Sequence, residues 1–213
     1  MLFLDSAHVE DARRAAWLGL VQGVTTNPML MAQTGRAAED VLGELADIVP
    51  GTIFYQLSGP TVEEREAEAR RVELVRPRRI GLKVPCTTEN LGLVARLSAD
   101  GLTCGMTTIF SSSQALLAAE AGARYIFPYV NRTTRLFGDG FALVLEMRQV
   151  VDAMGSPAKI VAASVKSADE AVATILAGAH GLTLPLAVLE SLGEHPGSSL
   201  SIEEFRAITQ GMH

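Results

Sequence analysis

The sequence predicts a closed (β/α)₈ barrel, an α/β fold, with an additional C-terminal helix. Eight short β-type runs alternate with helix-type segments along the 213 residues. Glycines stand just before several of these runs, where a preceding helix would end. Ser or Thr stands three residues before Glu or Gln at four predicted helix starts. Eight alternations favour a closed barrel over an open doubly wound sheet, because no Gly-rich dinucleotide fingerprint follows the first strand.

The predicted elements follow one another at regular intervals. The strands are Leu2–Asp5, Gly23–Thr25, Thr52–Gln56, Ile80–Val84, Leu102–Met106, Tyr125–Pro128, Lys159–Ala163 and Gly181–Leu184. The capping spacings are Thr61…Glu64, Ser111…Gln114, Ser167…Glu170 and Ser201…Glu204. We expect one domain, residues 1–213, slightly shorter than the ~250 residues usual for such barrels. Residues 193–213 extend beyond the barrel and are expected to make subunit contacts.

Charge and composition argue against several classes of function. The net charge is −6 and no stripe of Lys and Arg stands out, so nucleic acid is not an expected partner. No uninterrupted apolar run reaches the ~20 residues that cross a bilayer. The first residues lack a signal-peptide pattern. The spacing of Cys86 and Cys104 is not that of a metal site. We therefore expect a cytoplasmic protein with no membrane or metal partner.

Polar residues stand at the ends of seven of the eight predicted strands. Barrel enzymes carry their chemistry at the C-terminal ends of the strands, so these side chains are expected to meet at one mouth. Strand 8 ends in Leu184 and Pro185, with nothing reactive. The polar residues at the other strand ends are Asp5, Thr25, Thr26, Asn27, Gln56, Lys83, Thr107, Tyr129, Asn131, Arg132, Ser164 and Lys166.

Lys83 is the most informative of these residues. The chain has only three lysines beside 15 arginines, and Lys83 lies in an otherwise apolar strand. Pointing at the helices would bury an ammonium in apolar surroundings, so we expect it to face the barrel interior. Burial lowers a lysine pKa, and the neutral amine attacks carbonyl carbons. A structural ion pair with Asp5 is the competing interpretation, and strand patterns do not separate the two.

Two further groups of side chains indicate specific roles. Arg132, Ser164 and Lys166 together suit an anion such as phosphate, although Lys166 is equally consistent with a loop cation near solvent. Tyr129 can relay a proton through a water held by Gln56 and Thr107. A tyrosine at a strand end otherwise most often serves packing.

At this point the sequence resembles a known family, the small transaldolases, which include the fructose-6-phosphate aldolases. The resemblance is collinear along essentially the whole chain. Its motifs are Val24-Thr25-Thr26-Asn27-Pro28, Leu82-Lys83-Val84-Pro85, Ala121-Gly122-Ala123-Arg124-Tyr125 and Ala162-Ala163-Ser164. It implies a class I aldolase mechanism without metal or cofactor, on small carbonyl and sugar or sugar-phosphate substrates.

The resemblance also implies individual roles. Lys83 matches the Schiff-base lysine. Asp5 and Asn27 match groups that bind donor hydroxyls and assist at the lysine, and Thr26 stands beside them as a further substrate-binding candidate. Arg132 and Ser164 match the site for the distal end of the sugar, including a phosphate where one is present.

Two positions distinguish the branches of the family. Transaldolases resemble one another in having a glutamate and a phenylalanine where this chain has Gln56 and Tyr129, and the aldolase branch looks like this chain. A phenol beside a bound water can protonate the three-carbon enamine and release it, whereas a phenyl ring cannot. The resemblance therefore favours an aldolase that uses dihydroxyacetone, hydroxyacetone or a related small donor. A transaldolase and a non-covalent sugar-phosphate-binding barrel are the alternatives.

Two departures from the family pattern bear on the substrate. Phe127 is bulky where the family usually has a small residue, so we expect it to narrow the pocket or change the preferred donor. Lys166 stands where many transaldolases have an arginine, and lysine lacks the bidentate fork for phosphate. The resemblance also implies a ring-forming homo-oligomer, a pentamer or decamer, with the segment after His195 as the bridging element. The sequence leaves the natural donor and acceptor open.

Overall fold

Eight parallel strands close into a barrel in the computed structural model, which describes residues 1–210. Neighbouring strands pair in sequence order, and the last pairs with the first, in register from Leu2↔Leu182 to Leu4↔Leu184. The strands are β1 Leu2–Asp5, β2 Gly23–Thr25, β3 Thr52–Gln56, β4 Ile80–Pro85, β5 Cys104–Ile109, β6 Tyr125–Pro128, β7 Lys159–Ala162 and β8 Gly181–Leu184.

Helices follow every strand and surround the barrel. Two of the connections between strands, after β2 and after β6, carry two helices instead of one. The helices are α1 Val9–Leu18, α2 Pro28–Thr34, α3 Ala38–Ile48, α4 Val62–Glu73, α5 Thr88–Ala99, α6 Ser112–Glu120, α7 Val130–Leu136, α8 Gly140–Ala153, α9 Ala168–Leu176, α10 Leu186–Ser191 and α11 Pro196–Gln210. The predicted (β/α)₈ barrel with an additional C-terminal helix is confirmed.

The fifth strand begins two residues later than predicted. The N–H of Leu102 bonds to the carbonyl of Leu97 at 3.0 Å, and Gly101 has a left-handed φ of 84°. These are the features of a glycine C-cap that ends α5, so residues 101 and 102 belong to the helix terminus. The strand proper is Cys104–Ile109, with a register shift between Thr107 and Ile109.

The predicted helix starts have different outcomes. Thr61 and Glu64 form a complete capping box, each side chain accepting from the other residue's backbone N–H. The prediction for Ser201 is wrong, because α11 already begins at Pro196 and Ser201 lies within it. A proline is well suited to the first turn of a helix, where its missing N–H is not needed.

Aromatic rings fill the inside of the barrel. They make contacts with ring centroids 5.0 to 6.2 Å apart. Glycines on neighbouring strands leave the room for them: a Cβ added to Gly81 would lie 2.5 Å from Phe54, and one added to Gly105 would lie 2.5 Å from Phe127. We call this cluster the aromatic floor; its members are Phe3, Phe54, Tyr125 and Phe127.

The final helix differs from all the others in its burial. None of the residues of α11 is buried against the rest of residues 1–210. Four large apolar side chains on it are 48% to 66% exposed: Leu200, Ile202, Phe205 and Ile208. Residues 211–213, the end of the predicted extension, lie outside the described residues. Within residues 1–210 no helix has both the length and the apolar character needed to cross a bilayer.

Candidate active site

A cavity of about 200 Å³ opens at the C-terminal mouth of the barrel. Seven of the residues predicted from the sequence line this cavity. They come from five of the eight strands, either from the strand end itself or from the segment that follows it. They are Asp5, Asn27, Lys83, Tyr129, Arg132, Ser164 and Lys166. Thr26, Gln56, Thr107 and Phe127 are not among its lining residues.

Lys83 points into the barrel from β4 and is only 3% exposed. Its Nζ donates a hydrogen bond to the backbone carbonyl of Thr26 at 2.9 Å. Burial lowers the Lys83 pKa to about 8, and the nearby Asp5 carboxylate opposes this shift. Close to neutral pH a useful fraction of this amine is therefore uncharged, with its lone pair available to a carbonyl carbon.

The Asp5 carboxylate is held in place by two buried threonines. The Thr25 hydroxyl donates to Asp5 Oδ1 at 2.9 Å, and the Thr25 and Thr183 hydroxyls lie 2.6 Å apart. Both threonines face the barrel interior, where an unpaired hydroxyl would be costly. Thr183 is not among the residues predicted from the sequence. Its polar side chain at an inward-facing position of β8 was the signal that could have identified it.

Thr26 and Asn27 combine structural and site roles. The Thr26 hydroxyl donates to the Phe54 carbonyl at 2.9 Å, so Thr26 meets Lys83 through its backbone oxygen and not through its side chain. Asn27 Oδ1 accepts the Leu30 N–H at 3.0 Å and begins α2 as its N-cap. A capping asparagine that also lines the cavity is fixed in orientation by the helix that it starts.

Tyr129, Thr107 and Gln56 provide the remaining predicted proton-relay groups. The Thr107 hydroxyl lies 3.5 Å from the Tyr129 hydroxyl, and Thr107 is completely buried. Gln56 pairs in register with Lys83, so both side chains face the barrel interior. Its Oε1 atom is buried and has no hydrogen-bond partner within residues 1–210. Buried acceptors are nearly always satisfied, so we expect this atom to accept a hydrogen bond from a bound water.

A bulge interrupts β5 directly after Thr107, close to the mouth of the barrel. Thr108 has a left-handed φ of 56°, and the register shifts between Thr107 and Ile109. Bulges of this kind redirect side chains and are frequent near active sites. Ser164, just after β7, has a similar φ of 58°. Among residues 1–210, two of the three non-glycine residues with a left-handed φ therefore lie at the mouth, and the third, Arg78, precedes β4.

The far end of the cavity carries positive charge. The Arg132 guanidinium lies 4.8 Å from the Tyr129 ring centroid, and Lys166 is exposed on the loop after Ser164. Cations beside a cavity are suited to bind an anionic group. Among residues 1–210 no cluster of three or more His, Cys, Asp or Glu side chains has the arrangement of a metal site.

Phe127 belongs to the aromatic floor and not to the cavity lining. It is completely buried, and its ring centroid lies 5.6 Å from Lys83 Nζ. The ring occupies the space beside Gly105, the residue that pairs in register with Lys83. Phe127 therefore contributes to the apolar surroundings of the amine, and its effect on donor choice stays a prediction.

Two predicted capping boxes next to the mouth are only half formed. In α6 and α9 the N-cap serine accepts a helix N–H as expected. The reciprocal side chain reaches one residue further back: Gln114 Oε1 accepts from Phe110 N–H, and Glu170 Oε2 accepts from Lys166 N–H, both at 2.8 Å. These side chains therefore tie the strand-end loops to the helices that follow.

Comparison with known proteins identifies the family. The family model described as transaldolase/fructose-6-phosphate aldolase matches residues 2–212. The chain belongs to this family. A probable transaldolase of Lactiplantibacillus plantarum is 41% identical over 203 residues, which cover 95% of this chain and 93% of that protein. A probable transaldolase of Symbiobacterium thermophilum is 39% identical over 204 residues, which cover 96% and 94%.

Membership of the transaldolase/fructose-6-phosphate aldolase family makes the chain an enzyme of the aldolase or transaldolase type.

Among solved structures, a mandelate oxidase variant with an FMN adduct has a TM-score of 0.65 at 15% identity, covering 87% of this chain and 64% of that chain. A second mandelate oxidase has a TM-score of 0.61, covering 84% and 59%. This chain spans less than two thirds of either, and at such identity the likeness concerns the barrel fold alone.

Proposed function

We propose that this enzyme is a class I aldolase whose Lys83 forms a Schiff base with a small carbonyl donor. The observation that carries the proposal is the buried Lys83 amine, with its pKa lowered to about 8, at the wall of a cavity lined by polar side chains. An amine directed at the surrounding helices, or one without a cavity beside it, would exclude this chemistry.

The reaction begins when neutral Lys83 adds to the carbonyl carbon of dihydroxyacetone, hydroxyacetone or a related donor. Protonation of the resulting carbinolamine hydroxyl, which we assign to Tyr129, lets water leave and gives an iminium, which keeps one N–H that can remain on the Thr26 carbonyl. The iminium withdraws electrons and acidifies the adjacent C–H bond. Removal of that proton gives an enamine, whose carbon adds to the carbonyl carbon of an aldehyde. Hydrolysis then frees Lys83, and cleavage is the reverse sequence.

Tyr129 is the proposed acid and base. Its hydroxyl lies at the cavity within 3.5 Å of the Thr107 hydroxyl, and the unpartnered Oε1 of Gln56 offers an acceptor for a water. A phenol with a bound water can protonate the enamine and release free ketone. Asp5 and Asn27 are assigned to the donor hydroxyls, and Asp5 also stabilises charge at the lysine.

The distal end of the substrate is assigned to Arg132, Ser164 and Lys166. All three line the cavity, and two of them are cations. We infer that a phosphorylated acceptor aldehyde places its phosphate there. Arg132 can offer two parallel N–H donors, whereas Lys166 provides a single point charge.

Transaldolase is the second candidate, and the names of the curated relatives favour it. Such an enzyme would move a dihydroxyacetone unit between sugar phosphates without releasing it. With fructose 6-phosphate as the donor, free dihydroxyacetone is measured without acceptor, and transfer is measured with erythrose 4-phosphate. Release without acceptor supports the aldolase, whereas transfer alone assigns the transaldolase.

Borohydride reduction tests the Schiff base. The protein is reduced in the presence of dihydroxyacetone or fructose 6-phosphate, and the modified peptide is identified by mass spectrometry. We expect a single adduct on Lys83 that is lost in Lys83→Met. Lys159→Met, at the exposed start of β7 on the opposite end of the barrel, is the matched control and should keep the adduct. An unmodified Lys83 would favour a non-covalent sugar-phosphate-binding barrel.

We also propose that the enzyme assembles into a ring-shaped homo-oligomer through α11. An open groove of about 260 Å³ beside the short helix α10 is lined by apolar side chains: Leu2, Ala171, Val172, Ile175, Leu176, Leu182 and Leu192. The helix α10 has only six residues, and Leu2 at the start of β1 stays partly exposed beside it. The exposed apolar side chains of α11 from a second copy are the proposed occupant of this groove.

A further inference from the structure

The Glu170 carboxylate joins the start of α7 to the loop after β7 at the charged end of the cavity. Its Oε1 accepts a hydrogen bond from Asn131 Nδ2 at 2.6 Å, and its Oε2 accepts one from Lys166 N–H at 2.8 Å. Asn131 lies next to Arg132 on α7, and Lys166 lies on the loop that also carries Ser164. One side chain outside the cavity therefore contacts both segments that carry the proposed anion-binding groups.

Backbone contacts align the same two segments. Val130 N–H donates to the Ala163 carbonyl, and Asn131 N–H donates to the Ser164 carbonyl, both at 3.0 Å. Ser164 has a strained left-handed φ of 58°. A strained residue stays in place only when its surroundings hold it, and the Glu170 link closes the loop on the side away from the strand.

The position of Glu170 in α9 explains why it is available for this role. It is the third residue of the helix, and its own N–H is held by the hydroxyl of the N-cap residue Ser167 at 3.1 Å. A carboxylate there is favoured by the helix dipole. In a complete capping box it would return to the N-cap N–H, but here it reaches Lys166 and Asn131 instead.

We propose that Glu170 is a positioning residue that holds Arg132, Ser164 and Lys166 in the arrangement that binds the phosphate of the acceptor substrate. The inference rests on the proposed function and adds a residue that touches no substrate. Loss of the link is expected to weaken recognition of a phosphorylated acceptor. Recognition of an unphosphorylated acceptor should be nearly unaffected, because Lys83 lies on β4 and Tyr129 is held by its own β-bridge to Ala163 and not by Glu170.

A hydrogen-bond swap provides the sharpest test. Glu170→Ala removes both contacts, and Asn131→Asp places two carboxylates against each other. The double variant Asn131→Asp with Glu170→Gln restores the pairing, because the new amide on α9 can donate to the new carboxylate on α7 and accept from Lys166 N–H. Glu170→Gln alone should change little, since the Asn131 amide can turn over and accept. Glu120→Gln, on the surface of α6, is the matched control.

The readout is the KM for glyceraldehyde 3-phosphate compared with that for glyceraldehyde, with dihydroxyacetone as donor. Glu170→Ala and Asn131→Asp should each raise the KM for the phosphorylated acceptor by about tenfold, which is the effect of one or two charge-assisted hydrogen bonds. The double variant should return within about threefold of the wild type. Equal changes for both acceptors, or a double variant as impaired as Asn131→Asp, would overturn the proposal.

A binding measurement separates this inference from the proposed function. Sorbitol 6-phosphate has no carbonyl group and cannot form a Schiff base. Its affinity for the wild type and the same variants is measured by calorimetry. Weaker binding to Glu170→Ala with rescue in the double variant supports the positioning role even if Lys83 forms no adduct. No measurable binding to the wild type, or equal binding to all variants, contradicts it.

Discussion

At the scale of single residues, the surroundings of Lys83 determine its chemistry. Its amine lies beside the Phe127 ring and one hydrogen bond from the Thr26 carbonyl, with almost no access to water. Burial lowers its pKa from 10.5 to about 8, against the charge of Asp5. At pH 7 the neutral fraction rises from well below one in a thousand to about one in ten.

The pH dependence of cleavage follows from this shift. Lys83 is charged and unreactive below its pKa and neutral above it, so kcat/KM should rise up to about tenfold per pH unit below about pH 8 and then level off. Asp5→Asn removes a charge that raises the Lys83 pKa and should move the midpoint to lower pH. A pH-rate profile of both proteins checks this. A flat profile between pH 6 and 9 would contradict the assignment of Lys83 as the nucleophile.

Tyr129 should decide between release and transfer of the three-carbon unit. Tyr129→Phe removes the hydroxyl near Thr107, so protonation of the enamine should slow by at least about tenfold. Transfer to erythrose 4-phosphate should persist, because it needs no such proton. The ratio of free dihydroxyacetone to transfer product is the measurement. Tyr125→Phe, the same change in the aromatic floor, is the control, and unchanged release in Tyr129→Phe would rule out the relay.

At the scale of secondary-structure elements, the helices hold the loops of the mouth through side chains in their first two turns. Glu68 of α4 accepts from the backbone N–H groups of Ser58 and Gly59 at 2.9 and 3.0 Å. Gln114 of α6 and Glu170 of α9 each accept an N–H from the residue before the N-cap. Three of the loops after the strands are thereby connected to the helix that follows, which supports a preorganised site.

The close packing of β5 against the aromatic floor should be visible in the unfolding free energies of variants at Gly105 and Phe127. Gly105→Ala would place a Cβ 2.5 Å from the Phe127 ring, an overpacking that we expect to cost about 2 kcal/mol of unfolding free energy. Phe127→Ala should cost about 3–5 kcal/mol by leaving a cavity. In the Phe127→Ala background, Gly105→Ala should lower the unfolding free energy much less, because the Phe127 ring that the new Cβ would contact is absent. Urea unfolding of the wild type, both single variants and the double variant gives a double-mutant cycle. If the two losses of unfolding free energy simply add, the proposed contact between residue 105 and the Phe127 ring is contradicted.

At the scale of the whole molecule, the barrel and α11 differ in how completely they are packed. The barrel interior is closed by the aromatic floor, whereas α11 exposes its apolar side chains and a groove beside α10 remains open. An apolar helix without a partner on its own chain is typical of a subunit interface. The assembly proposed above would cover both surfaces at once.

One substitution on α11 tests this assembly. Phe205→Glu places a charge among the apolar side chains of the helix and should shift the protein to smaller species, because a buried unpaired charge is costly. Gln210→Glu makes the same change in charge at the end of the helix and is the control. Light scattering after gel filtration gives the masses. A monomeric wild type, or a Phe205→Glu variant of unchanged mass, would contradict the proposal.

Local signals predicted most of the elements and failed at boundaries where two local signals compete. The alternation of strand and helix indicated the barrel. The position of Lys83 in an otherwise apolar strand indicated that its amine faces the barrel interior. The start of β5 was misplaced because Leu102 looks like a strand residue, although its N–H completes the cap of α5. Ser201 and Glu204 have capping spacing, yet the helix begins earlier at Pro196.

The sequence by itself determined the fold class, the family and the position of the candidate nucleophile Lys83, because residue alternation and short motifs are properties of neighbouring residues. The tertiary structure alone decided that Thr183 supports Asp5 through Thr25, that Phe127 lies in the aromatic floor, and that Glu170 links α7 to the loop after β7. Those contacts join residues far apart in the chain. Their geometry depends on how strands and helices pack, which no local pattern of residues specifies.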